Sequence, residues 1–299
     1  MIKRLFALLT CSLPLFAAPV DWGDQESFAR PPPFLPFSMG GSYAQLAPAS
    51  FYTPSVQGQT ITYKQSDANF SYTHPFSDQC GLIFGAGWVG VDVNWAQNPD
   101  FDQTFFGYYS GSFGGFTRAF SNWLWTLNLS IFLDSDHFSF ADYALYQSIL
   151  WGKYTCLPQL ELNFGFLLEV GLDKDKVWPI LGFIYTFNEK CRLNAVYPVD
   201  MSLQYDLLPC LTLGGSLKIF RNRHRVGPDE PFPSCIFVYQ TWGAEADARF
   251  RPAPWFFVNG FIGYTTGGNF TILNSGGKHG THYKFQGSAY GGGYAALSF

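Results

Sequence analysis

Along residues 159–171 every even position is apolar, and the odd positions other than Leu167 are polar or glycine. Leu160, Leu162, Phe164, Phe166, Leu168 and Val170 take the even positions, and Gln159, Glu161, Asn163, Gly165 and Glu169 lie between them. A period of two is that of a strand with one apolar and one polar face. The stretch outruns the roughly 5 to 6 residues of a common soluble strand and reaches the roughly 9 to 11 of a tilted transmembrane strand. The pattern recurs. In 123–133, Trp123, Trp125, Leu127, Leu129 and Ile131 oppose Thr126, Asn128 and Ser130. In 236–250, Val238, Trp242, Ala244 and Ala246 oppose Tyr239, Thr241, Glu245, Asp247 and Arg249.

Connections between these strands alternate between tight (76–79, 120–122, 155–158, 188–190, 208–209, 251–254) and looser, more polar links (65–67, 96–103, 134–141, 173–176, 198–200, 221–234, 267–282). Membrane barrels have short periplasmic turns and longer outer loops, which assigns the two sides. Seven outer links give an all-β, antiparallel, up-and-down transmembrane β-barrel of about 14 strands over 56–299, or about 12 if the first hairpin or the pair around Pro198 is omitted.

Composition sharpens this reading. Only 13% of residues are charged while 47% are hydrophobic, and the mean hydropathy is +0.01. Soluble domains carry about a quarter charged residues. A low charge content without long apolar runs is what results when one side of every strand must avoid charge. The aromatic share of 19% suits interfacial girdles. A net charge of -4 argues against a nucleic-acid partner.

The first 18 residues read as a secretory signal peptide, with Lys3 and Arg4, an apolar middle, and Ala17 and Ala18 at the cleavage site. Residues 19–55, with Pro31-Pro32-Pro33-Phe34-Leu35-Pro36, are expected to form an extended periplasmic leader or a plug. The chain ends Ala295-Ala296-Leu297-Ser298-Phe299. That ending resembles the C-terminal signature of Gram-negative outer-membrane β-barrel proteins. The resemblance implies an integral outer-membrane location, with Leu297 and Phe299 read by the barrel-insertion machinery. Residues 178–183 and 193–198 are similar to uncharacterised bacterial barrel families, and the enrichment in Phe and Cys is similar to chlamydial envelope proteins. These likenesses imply a place rather than an activity.

Candidate chemistry is sparse. Asp92, Glu161, Glu169, Arg192, Asp206, Lys218, Glu245, Asp247, Arg249 and Lys284 are expected to line a lumen, where mixed signs give ion pairs and a screened field. Arg221, Arg223, His224 and Arg225 are expected on an external basic loop able to attract lipopolysaccharide, sulfated glycans or anionic solutes. Cys80, Cys156, Cys191 and Cys210 lie beside tight turns, at an oxidising periplasmic rim, where internal disulfides or links to other envelope proteins could form. Cys235 makes the mature total odd. His279 and His282 are too few for a metal site, and no cofactor motif is present. Ser148 and His137 are pieces of a hydrolytic site without a motif to join them, so no enzyme is expected. The function expected is a passive or weakly selective channel for small solutes. The alternative is a surface structural or adhesive envelope protein, presenting 221–234 and 267–282.

Overall fold

The computed structural model describes residues 35–299 except 119, 121, 173 and 174. The signal peptide and the proline run up to residue 34 lie outside the described residues. Strands follow one another as nearest neighbours: β1 (Phe37–Ser50), β2 (Thr60–Ser77), β3 (Cys80–Asn94), β4 (Phe105–Thr117), β5 (Trp123–Asp134), β6 (Ala144–Leu157), β7 (Leu160–Val170), β8 (Lys176–Asn188), β9 (Cys191–Tyr197), β10 (Asp200–Leu208), β11 (Leu211–Arg225), β12 (Ile236–Ala253) and β13 (Phe256–Leu273). The last wall position is shared by β14 (Thr281–Phe285) and β15 (Ala289–Ser298), which pair with the upper and lower halves of β13. β15 then pairs with β1, which closes an antiparallel barrel of 14 wall strands. Closure leaves no sheet edge along the seam, and Phe37 and Phe299 exchange both backbone hydrogen bonds there at 2.9 Å.

The long links all lie at one end of this barrel, with the two-residue turn at 198–199, and the other tight links lie at the opposite end together with Phe37 and Phe299. Two expectations about the N-terminal part are corrected. Residues 37–50 belong to the wall as β1 rather than to a leader, and 65–67 lie in the middle of β2, so the first outer link is 51–59. Proline and small polar residues in 31–55 had masked a strand whose glycines and serines carry little hydropathy signal.

Strand register fixes which face looks inward. On β7 the odd residues Glu161, Asn163, Gly165, Leu167 and Glu169 pair across to Thr155, Lys153, Trp151, Ile149 and Gln147 of β6, and these all face the lumen. The even set of β7 looks out. Phe84, Phe113, Leu129, Phe166, Leu203 and Ile262 belong to the same outer face and are exposed. A continuous apolar exterior over a polar interior is the arrangement of a wall standing between hydrocarbon and water.

Parity shifts near the seam as well as at the extra residue of β1 between Leu46 and Ala49. A bulge in β13 beside Thr241 and Gly243 of β12 and the interruption 286–288 shift the phase, so Phe285 points inward and is buried while Ala289, Ala295 and Leu297 point outward. Phe285 and Ala289, four residues apart, therefore face opposite sides of the wall.

The β9–β10 hairpin is short. β9 has 7 residues against 13 in β8 and 15 in β11. The highest pairs in this part of the wall are Leu181 with Tyr197 and Ser202 with Ser216. Above them, β8 residues 176–180 pair only with β7, and β11 residues 217–225 pair only with β12.

Candidate functional site in the barrel lumen

The lumen divides into two halves. Its lower half is polar, with a cavity of about 190 Å³ bordered by Asp200, Lys218, Glu245, Asp247, Arg249 and Tyr294 among others. Alternation on β10, β11 and β12 puts these groups there, since their even, even and odd positions face inward. Ser216 Oγ donates to Glu245 Oε1 at 2.9 Å, Arg192 donates to Gln204 at 2.5 Å, and Asn194 donates to Asp200 at 2.7 Å and to Ser202 at 3.0 Å. Charges of both signs therefore sit within one hydrogen-bonded lining.

The upper half is filled. Phe51 and Trp95, from the outer links 51–59 and 95–104, meet in a tilted ring pair at 4.5 Å. Phe101 packs on Phe237 at 5.7 Å, Phe106 on Phe237 at 4.5 Å, and Phe237 on Phe270 at 5.4 Å. Tyr63 of β2 stacks on Tyr239 of β12 at 4.2 Å, across strands that are not neighbours. These side chains form one buried cluster. Its floor is Tyr290, whose ring meets Phe220 edge-on at 4.9 Å. That ring lies against bare backbone at Gly243 and Gly263, where a Cβ would come within 2.6 and 2.5 Å of it.

The basic run is part of this plug. Arg221, Arg223, His224 and Arg225 belong to the upper end of β11 and are all buried, which corrects their assignment to an external loop. Arg223 pairs with Glu169 at 3.8 Å, with both side chains fully buried. The Arg221 guanidinium lies 5.7 Å from the Trp178 ring centre. Arg225 donates to the carbonyls of Asp142, Ser234, Ser275 and Leu172 at 2.7 to 3.2 Å, tying four outer links together. On the opposite face of the strand, Asn222 donates to Gln65 at 3.0 Å and to the Tyr63 hydroxyl. His224 stacks on Tyr108 at 4.5 Å. Burial of this run removes the cationic loop on which attraction to lipopolysaccharide rested.

Eight of the ten lumen candidates face inward: Glu161, Glu169, Arg192, Asp206, Lys218, Glu245, Asp247 and Arg249. Asp92 and Lys284 do not. Val91 and Val93 occupy the lumen face of β3, so Asp92 points outward, opposite Lys64. Tyr283 and Phe285 occupy that of β14, leaving Lys284 exposed. Lys153, half-hidden in a strand apolar on both faces, is a lumen residue that hydropathy alone misses; its ammonium lies 4.7 Å from the Trp151 ring centre.

Cys80, Cys156, Cys191 and Cys210 do lie at the tight-turn end, but all five described cysteines are free, so no internal disulfide joins them. Cys235 is the exception in position. It closes the outer link 226–235, and burial pushes its thiol up to about 12. Ser148 faces outward on β6 opposite Leu168, whereas His137 sits in an outer link against Asp134 at 3.7 Å, so the two are not brought together. His282 accepts or donates a hydrogen bond with Thr271 at 2.9 Å, and no cluster of three metal-ligating side chains occurs among the described residues.

No protein-family model matches the chain. A Chlamydia pneumoniae protein described as uncharacterised is 31% identical over 319 aligned residues, spanning the whole of both chains. Uncharacterised proteins of Chlamydia muridarum and Chlamydia trachomatis serovar D are 28% and 27% identical, again end to end. Among solved structures, an outer membrane channel of Pseudomonas putida F1 aligns over 94% of this chain and 100% of its own, at 11% identity and a TM-score of 0.48. The translocator domain of the autotransporter NalP from Neisseria meningitidis aligns over 89% and 90%, at 12% identity and a TM-score of 0.41. At these scores the barrel assignment rests on the closed strand ladder itself.

Proposed function

The chain belongs to this family of chlamydial proteins, and on that premise we propose that it is an outer-membrane β-barrel channel for small polar solutes, closed at rest at its outer end. The observation that carries the reading is the division of one lumen into a charge-lined lower chamber and a packed aromatic plug above it. A wall that only displayed loops would have no use for a lining of Asp200, Lys218, Glu245, Asp247 and Arg249, which costs desolvation unless water or solute reaches it. Mixed signs favour weak selectivity. Solute passes when the tips of β11 and β12 move away from Tyr63, Phe106 and Phe270.

Export through the signal peptide and recognition of Leu297 and Phe299 by the insertion machinery belong to this proposal. So do intermolecular disulfides at Cys156, the exposed member of the four rim cysteines. The test is single-channel recording of purified barrel in planar bilayers. The wild-type protein is expected to open rarely, and Phe237→Ala, which removes the centre of the plug, to give sustained steps. A Phe237→Ala barrel that shows heat-modifiable migration and still never conducts overturns the reading.

A second reading is surface attachment. Phe138 and Phe140 on the outer link 135–143 are 65% and 59% exposed and form an edge-on pair at 5.8 Å, an apolar point of contact for a partner. Replacing both by Ser should abolish adhesion of cells displaying the protein without changing conductance; undiminished adhesion removes this reading.

A further inference from the structure

The geometry points to a lateral portal in the barrel wall, between β8 and β11 above the turn at Pro198 and Val199, through which small amphiphiles pass between the lipid phase and the lumen cavity. The inference deepens the channel reading and rests on it for the existence of a solute-accessible lumen.

The first observation is the missing wall. At about 3.3 Å per residue and a tilt of about 40°, the 7 residues of β9 climb roughly 18 Å, short of an apolar band about 25 Å tall. The gap above the hairpin therefore opens at membrane depth. Its sides are residues 179–180 of β8 and 217–220 of β11, which pair only with β7 and with β12.

The second is the cavity behind it. One cavity is bordered by four consecutive residues of β11, Lys218 and Phe220 of the inward parity and Leu217 and Ile219 of the outward parity. Val199 and Met201 complete the apolar rim, and Asp200, Glu245, Asp247 and Arg249 form the polar depth. The gap is bounded above by Arg221 on Trp178 and by the Arg223–Glu169 pair, which keep it from running into the plug.

These surfaces fit an occupant with two chemistries. An apolar body would lie against Leu217, Ile219, Val199 and Met201, exchanging lipid for protein contact at little cost. Its head would reach the polar depth. Three carboxylates against two cations there favour a head that donates hydrogen bonds or carries positive charge, such as a primary ammonium, over a carboxylate.

The test uses full-length protein in lipid vesicles and N-dodecylmaleimide, a thiol reagent held in the bilayer by its chain. Ser216→Cys places a thiol in the cavity behind the gap. Ser112→Cys places one on the lumen face of β4, behind continuous wall. Labelling is read peptide by peptide by mass spectrometry, so the native cysteines do not interfere. Ser216→Cys is expected to react roughly tenfold faster than Ser112→Cys, because an acyl-chain reagent partitions into the bilayer and reaches the lumen only through the portal. Adding Ile219→Trp, which fills the rim, should remove the difference, and dodecylammonium should slow labelling of Ser216→Cys more than dodecanoate. Equal labelling at positions 216 and 112 overturns the portal. Equal protection by the two amphiphiles overturns the head assignment. Conductance of the same preparations is recorded separately. Conduction without preferential labelling leaves the channel and rejects the portal, whereas a barrel that never conducts yet labels selectively rejects the channel alone.

Discussion

The two halves of β11 pair with β12 along their whole length, yet they live in different surroundings. In the lower half, β10 lies on the other side, and Leu213 on an odd position faces outward and is exposed. In the upper half β10 has ended. The same odd positions carry Arg221, Arg223 and Arg225, all buried against β7, β8 and four outer links. One strand with unbroken parity thus passes from a lipid-facing wall to the core of a plug, because the neighbour that defined its outside is gone. What a position faces in a barrel is set by the strands beside it as much as by its own phase.

The strongest way to break the contrast is Arg223→Ala. It strands Glu169 as a buried carboxylate without its cation, and loss of one member of a buried pair costs about 3 to 5 kcal/mol. The expected outcome is a lower unfolding midpoint in urea together with more frequent channel opening; an unchanged midpoint would show that the pair does not hold the plug. Next in size, Leu217→Arg places below the buried run the residue type that the run accommodates on the same face. Facing lipid rather than Glu169 and Trp178, it should cost about 2 to 4 kcal/mol in bilayer folding titrations if it lies near the midplane.

Asp247→Asn in the lower lumen should cost under about 1 kcal/mol, since solvent reaches the site, and should shift the reversal potential toward anions in a salt gradient. The smallest effect is chemical. A Cys235 thiol pushed up to about 12 stays protonated at pH 8 and should resist iodoacetamide, whereas exposed Cys156 at the opposite end is alkylated. Reaction of Cys235 at the rate of Cys156 would mean that the outer link 226–235 opens freely.

Much of the wall was legible because desolvation writes it residue by residue. β5, β7 and the lower part of β12 each separate apolar from polar side chains so cleanly that the inward set follows from the sequence. β6, with Ile149 and Trp151 inside and Leu150 outside, carries apolar residues on both faces and hides Lys153. The lumen candidates failed at Asp92 and Lys284 for a related reason. Near the outer rim the inward positions are apolar, filled by Val91, Val93, Tyr283 and Phe285 for the plug, and the charges are turned out.

Alternating hydropathy, by itself, determined that this chain forms long antiparallel strands, that its ends differ in loop length, and that about 14 strands close into a barrel with a polar inside. Those properties are local, since each side chain reports only which solvent it avoids. The plug, the burial of the 221–225 run and the gap beside the β9–β10 hairpin were decided by tertiary structure. They depend on where neighbouring strands stop and on contacts such as Tyr63 with Tyr239 and Arg223 with Glu169, between residues far apart in the chain, whose energy exists only once the barrel has closed.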